Sequence, residues 1–174
     1  MTVPASFLCM QDLRPMYDQA LETHNIFAVE NINHSVTAEQ HTFLPDVQFM
    51  GCKKKSQIMK SMIDMQSNIG YNDFTDQSKF LGTPALWCYN QYKRNMLSII
   101  DGKYIGVKTM DEAPVSIDAL LGNNDLDFQS TMFGIYIPSD QILSRTKYQW
   151  FPRMSVDQIL NSNLLIASYA LASY

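Results

Sequence analysis

The segment FMGCKKKSQIMKSMIDMQSNIGYNDFTD, residues 49–76, decides how the rest of the chain is read. It joins a strand end at Phe49 to Gly51, a basic turn at Lys53, Lys54 and Lys55, an amphipathic helix and a polar loop. Ser56 is placed to cap a helix that starts at about Gln57. Ile58, Met62, Met65 and Ile69 then recur in steps of three and four residues. Such spacing lays one apolar stripe along a helix face, and Met59 and Ile63 widen it. Gly70 follows the last apolar position, where a left-handed closing residue is common. Tyr71 to Asp76 reads as a loop, because Asn72, Asp73 and Asp76 favour turns through side-chain bonds to backbone. Methionine is flexible and fills irregular space, so this stripe serves either as ordinary core or as a wall that adapts to a ligand.

Upstream, Asp12 to His24 reads as a helix, with Asp12 as cap, Pro15 in the first turn and Leu13, Met16, Tyr17, Ala20 and Leu21 on one face. Ile26 to Ile32 is rich in β-branched and aromatic residues and predicts a first strand. Residues 33–42 are polar and predict a connection with a turn of helix. Val47 and Phe49 alternate with Gln48 and Met50, which predicts a second strand ending at Gly51.

Downstream, Thr83-Pro84 predicts a helix start, with a face of Leu86, Tyr89, Lys93, Met96 and Ile100. Asp101-Gly102 is a turn signal, and Lys103 to Met110 alternates like a third strand. Ser116 to Leu121 predicts a helical turn closed by Gly122, and Asn123 to Asp125 a turn. Leu126 to Ile137 predicts a long strand ended by Pro138; Gly134 inside it implies a bulge or the close approach of another group. Thr146, Tyr148 and Trp150 alternate and predict a fifth strand before Pro152. Ser155 and Gln158 form a capping box that opens a terminal helix over 155–174. Strands and helices come in blocks rather than in strict alternation. That order predicts one α+β domain over 1–174, with a mostly antiparallel five-stranded sheet, helices on one face and a long C-terminal helix.

Composition narrows the function classes. A net charge of −4 and a pI near 5.2 argue against general nucleic-acid contact by this segment. The lysine run reads as a solvated turn rather than an anion site, which needs converging donors. No basic start followed by a long apolar run marks the first twenty residues as a signal. No stretch reaches the roughly 18 apolar residues of a membrane span. Cys9, Cys52 and Cys88 are three cysteines without close spacing, which fits a reducing, cytoplasmic setting better than a disulfide framework. Asn33-His34-Ser35 matches a glycosylation acceptor, which has no meaning in a cytosol.

Two local stretches carry a family resemblance. Phe49-Met50-Gly51-Cys52-Lys53 resembles the second-strand segment of ligand-binding PAS domains, and Ile69-Gly70-Tyr71-Asn72-Asp73-Phe74 resembles their I-G-x-T-D-F turn, with Asn72 in place of threonine. The element order over 26–151 is similar to a PAS-type sensory domain, although fewer residues than usual separate the two stretches. The resemblance implies a cavity between sheet and helices that holds a small ligand. Haem would need an axial ligand on the helices. His24, His34 and His41 all precede the second strand instead. Trp87-Cys88-Tyr89-Asn90 does not match the cysteine motif of flavin-binding members. No cofactor is expected. Phe49, Met62, Phe74, Trp87, Tyr89 and Phe133 are the candidate ligand wall.

Catalytic motifs are absent from the sequence: no G-x-G-x-x-G, no phosphate-cradling loop ending in Gly-Lys, no G-x-S-x-G elbow. Cys88 with His41 is the best nucleophile and base pair, but a cysteine on an apolar helix is more often buried core. His34, His41 and Cys52 fit no zinc spacing, so no metal site is assigned. Asp125-Leu126-Asp127 begins like a calcium loop but lacks the glycine and glutamate that complete one. Asp73 and Asp76 are explained by turn chemistry. The expectation is a non-enzymatic, small-molecule-sensing regulatory domain that forms a homodimer and signals through its last helix. The alternative is a structural or assembly protein of virion type, suggested by a weakly charged chain without catalytic motifs.

Overall fold

The computed structural model describes residues 1–32, 43–67 and 77–173. In chain order its elements are β1 (Phe7–Cys9), α1 (Arg14–Ala20), β2 (Ile26–Ile32), β3 (Phe43–Cys52), α2 (Gln57–Ser67), α3 (Gln77–Lys93), β4 (Ser98–Ile100), α4 (Ile117–Leu120), β5 (Gly134–Tyr136), α5 (Ser139–Ser144), α6 (Val156–Leu160) and α7 (Leu165–Ala172). Short 3-10 turns lie at Gly102–Ile105, Thr146–Tyr148 and Phe151–Arg153. The fold is α+β. The chain divides into two compact units, Met1–Pro4 with Leu13–Gly102, and Ala5–Asp12 with everything from Lys103 on.

The first unit is built on a three-stranded sheet in the order β3-β2-β4, with β2 antiparallel to β3 and parallel to β4. Ile26, Phe27, Ala28 and Val29 of β2 are all fully buried. A strand with consecutive buried residues is covered on both faces. On one face Ile26, Ala28 and Met50 pack with Met62 of α2, Cys88 of α3 and Leu97. On the other, Tyr17 of α1 meets the Phe27 ring edge-on at 6.0 Å, and its hydroxyl donates to the Cys52 carbonyl at 2.9 Å. Helices therefore cover both faces rather than the single face expected. The apolar run in β2 demands this, since it leaves no polar side for solvent.

Helix α2 starts at Gln57 as expected, and the Met59 N–H donates to Ser56 Oγ at 3.4 Å. Met62 is its buried residue, while Ile63 is 53% exposed and does not widen the stripe. The expected Gly70 stop and the 71–76 loop lie outside the described residues. Helix α1 opens at Leu13, which makes no side-chain cap, rather than at Asp12.

Helix α3 differs from expectation at both ends. Pro84 falls inside it, not at its start. The roughly 3 kcal/mol cost of an interior proline is offset by packing, because Pro84, Ala85 and Cys88 are all buried. At the other end the helix stops at Lys93 instead of running to Ile100. Asn95 adopts a left-handed φ of 58°, and the Asn95 and Met96 N–H groups donate to the carbonyls of Tyr92 and Gln91 at 2.8 and 2.9 Å. This is a complete Schellman closure. It releases Ser98–Ile100 to pair alongside β2.

In the second unit β1 and β5 form a two-stranded antiparallel sheet with Cys9 opposite Gly134. A Cβ on Gly134 would collide with the Leu8 carbonyl oxygen, so the glycine marks a close approach, as its position suggested. The five-stranded sheet itself is not formed by the described residues. Lys103 to Met110 holds a 3-10 turn and one isolated bridge, Lys108 to Pro114, instead of a strand. Of Leu126 to Ile137 only Gly134–Tyr136 pairs. Thr146 to Trp150 turns instead of extending: Tyr148 is buried while Trp150 is 44% exposed, so the alternating residues do not share a face.

The long terminal helix is broken in two. The capping box holds, with Ser155 and Gln158 bonding each other's N–H groups at 2.8 and 3.2 Å. Helix α6 then ends at Leu160. Asn161 and Ser162 divert hydrogen bonds from the helical ladder: the Asn161 amide donates to the Asp157 carbonyl at 2.8 Å and the Ser162 hydroxyl to the Ile159 carbonyl at 2.6 Å. Leu164 is extended and α7 restarts at Leu165. The terminal helix expected over 155–174 is therefore not continuous. Val156 and Leu171 are 69% and 54% exposed, while Leu165, Ile166 and Ala167 are buried. Ile166 packs with Ile117, Leu121, Ile142 and Tyr148. Among the described residues no helix is long and apolar enough to cross a membrane.

Candidate functional site

The break between α6 and α7 creates a groove. Helix α4, capped by Ser116 Oγ accepting from the Ala119 N–H at 3.1 Å, ends just before Gly122. The Gly122 carbonyl accepts from the Leu165 N–H at 2.7 Å, which pins the start of α7 beside the turn at 123–125. Between them lies an open groove of about 420 Å³. Its polar lining is Asn123, Asp125, Ser162, Asn163 and Ser168; its apolar lining is Leu164, Leu165 and Leu171.

The polar groups divide by what they can still do. The Ser162 and Ser168 hydroxyls already donate, to the carbonyls of Ile159 and Leu165 at 2.6 and 2.7 Å. The Ser168 oxygen is left as an acceptor, while Ser162 Oγ also accepts from the Leu164 N–H at 3.4 Å. Asn123, Asn163 and Asp125 make no hydrogen bond to the described residues. Two amides and one carboxylate therefore face solvent beside leucine side chains, a combination that can grip an apolar body by a polar handle. The negative charge reaches inward: the Tyr169 hydroxyl is pushed above its ordinary pKa, first by burial and then by Asp125. Tyr169 in turn packs edge-on against Phe128 at 5.5 Å.

Met62 and Trp87 belong to one cluster, with Met50, Met59 and Met65 around them. Phe49 is fully buried but outside that cluster. Tyr89 lies on α3 beside Tyr92, ring centroids 6.4 Å apart, with the Lys93 ammonium 5.3 Å over its ring. Phe133 is in the second unit, next to Tyr104 at 6.2 Å. Phe74 lies outside the described residues. The groove residues were missed because short polar runs in turns carry no periodic signal. The run Asn161-Ser162-Asn163 inside an apolar helical pattern was the one available hint.

Cys88 is held as a neutral thiol. Burial pushes its pKa from 9.0 to about 12, and its Sγ lies 3.9 Å from Met62 Sδ. A thiol so held is a core residue, not a nucleophile. His34 and His41 lie outside the described residues, so neither the Cys88 and His41 pair nor the metal trio with Cys52 can be assembled here. Among the described residues no three histidine, cysteine, aspartate or glutamate side chains converge as a metal site requires. All three cysteines are free. No protein-family model, curated protein or solved structure matches this chain.

Proposed function

We propose that this chain is a non-catalytic regulatory domain that binds a small organic ligand in the groove between the 123–125 turn and the α6–α7 break. The observation that carries the proposal is the set of uncommitted groups there, Asn123, Asn163 and Asp125, beside Leu164 and Leu171. A ligand bonded to Asn163 would fix the break, and so the direction in which α7 leaves it. The signal then travels in a jointed terminal segment rather than in one rigid helix. What carries over from the PAS-type resemblance is this mode of action, together with a cytoplasmic setting, rather than the sheet. The test is mass spectrometry of small molecules released from the native protein. It is paired with thermal shift against a library of small amines, alcohols and amides. Asn163→Leu should abolish any stabilisation found. If nothing is released and no compound raises the melting temperature, the proposal fails.

A second reading, an assembly component, is favoured by the exposure of Leu143, Trp150 and Val156 at 62%, 44% and 69%. Large regular particles in light scattering would favour it. A small species stabilised by a ligand would favour the first.

A further inference from the structure

Between Gln141 and Val156 the chain carries Arg145, Lys147 and Arg153 and no carboxylate, in a protein whose net charge is −4. The two 3-10 turns in this segment set its aromatic residues apart. Tyr148 is buried and Phe151 half-buried, packed with Ile142, Ile166 and Leu164. Trp150, edge-on to Phe151 at 5.9 Å, is left outside with Arg145 and Arg153. Lys147 is already engaged by Asp118 at 2.6 Å, a pair that fixes the first turn. The Arg153 N–H donates to the Trp150 carbonyl at 3.2 Å, while its guanidinium makes no hydrogen bond or ion pair to the described residues. An exposed tryptophan beside an uncompensated arginine is the composition that carries most of the energy of protein interfaces.

The groove supplies the complement. It has the one charged lining group Asp125, with Asp127 exposed two residues on, and the half-exposed Leu171 as an apolar wall. Phe151 and Leu164 pack in the same cluster, so the basic segment and the groove border each other in one unit. Neighbouring surfaces of opposite character allow a twofold pairing in which each contact is made twice. We infer that the groove of one copy receives the Trp150–Arg153 segment of a second copy, with the indole against Leu164 and Leu171 and the guanidinium on Asp125. The inference rests on the groove being a binding site, and because a second copy would use the same Asp125, Leu164 and Leu171 as the small ligand, the two are expected to compete for it.

Charge reversal tests it on the full chain. Wild type should sediment as a dimer at tens of micromolar in low salt and weaken at about 1 M salt, where the Debye length is about 3 Å. Arg153→Glu alone and Asp125→Arg alone should each weaken association by at least about tenfold through like-charge contact. An equimolar mixture of the two should recover it, because each contact then pairs opposite charges. Both positions are exposed, so circular dichroism and melting of the single variants should match wild type. A monomeric wild type, variants that associate like wild type, or a mixture that fails to recover would each overturn the inference. A small molecule that stabilises a monomeric wild type would overturn it while leaving the groove's ligand role standing.

Discussion

Gly134→Ala is the substitution for which the second unit makes the sharpest demand. The added Cβ would strike the Leu8 carbonyl oxygen and lie 2.6 and 2.9 Å from Cζ and Cε1 of Phe7. The phenylalanine ring can turn away. The carbonyl cannot, because it belongs to the backbone of β1, which is in register with β5. Relief requires the two strands to part. That would loosen Ile135, which is fully buried with Leu120 and Met132, and Leu8, which packs on them. Overpacking typically costs 1–3 kcal/mol, and a backbone obstacle places this case near the top, at about 3 kcal/mol. With an m-value of about 1 kcal/mol/M in urea, the unfolding midpoint should fall by about 2–3 M. Trp150 lies in the second unit and Trp87 in the first, so fluorescence in a Trp87→Phe background reports the unit concerned. Gly51→Ala is the comparison: its Cβ would meet side-chain carbons of Phe27 at 2.5 and 2.8 Å, which can shift, so the cost should be smaller. A Gly134→Ala protein within about 0.5 kcal/mol of its parent would refute the close approach of β1.

Three further outcomes are expected. Asn95→Ala should lose about 1 kcal/mol in thermal melts while Asn95→Gly loses little, because the position needs a left-handed φ; equal losses would reject the Schellman closure. Met62→Ala should cost about 2–5 kcal/mol by cavity formation and Ile63→Ala less than about 0.5, following their burial; equal urea midpoints would place Ile63 in the core. Iodoacetamide at neutral pH should label the exposed Cys9 and spare Cys88 until the protein is unfolded. Because the folded state keeps the Cys88 thiol neutral up to about 12 against 9.0 when unfolded, its contribution to stability is full below pH 9.0 and fades as pH rises towards 12. Cys88→Ala should flatten that alkaline loss, and an unchanged pH profile would count against the buried thiol.

What was legible in the sequence was local chemistry. Strand β2 came from its β-branched and aromatic run, the start of α2 from Ser56, α4 from Ser116, the opening of α6 from the Ser155 and Gln158 box, and the tight spot in β5 from Gly134. Each of these is decided within a few residues, by a hydrogen bond or a missing Cβ. What was not legible depended on partners far along the chain. Ser98 to Ile100 fall within the helix expected to reach Ile100, and only the left-handed Asn95 and the open edge of β2 make β4 of them. Thr146 to Trp150 alternates like a strand, yet no neighbour pairs with it among the described residues. A 3-10 turn at Thr146–Tyr148 takes up its backbone while the burial of Tyr148 decides which way it faces.

The same division explains the site. Aromatic and methionine residues were the visible candidates, and Met62 and Phe49 are both buried. A residue that fills a core has used its surface and has little left for a ligand. The groove instead sits where the regular pattern fails, at Asn161 to Leu164, because a broken helix leaves backbone carbonyls that serine and asparagine side chains must answer. The groups beside the break then stand at the surface with capacity to spare: the Asn163 amide, the lone pairs of Ser168, and Asp125 across from them. The interruption of the expected terminal helix is therefore the feature that makes the groove proposed to bind. Repairing it is informative. Asn161→Ala, Ser162→Ala and Asn163→Ala together remove the competing side-chain bonds and favour a continuous helix by propensity. Helical content should rise in circular dichroism, and both ligand stabilisation and self-association should be lost together. Association that survives in the repaired chain would show that the groove is not where copies meet.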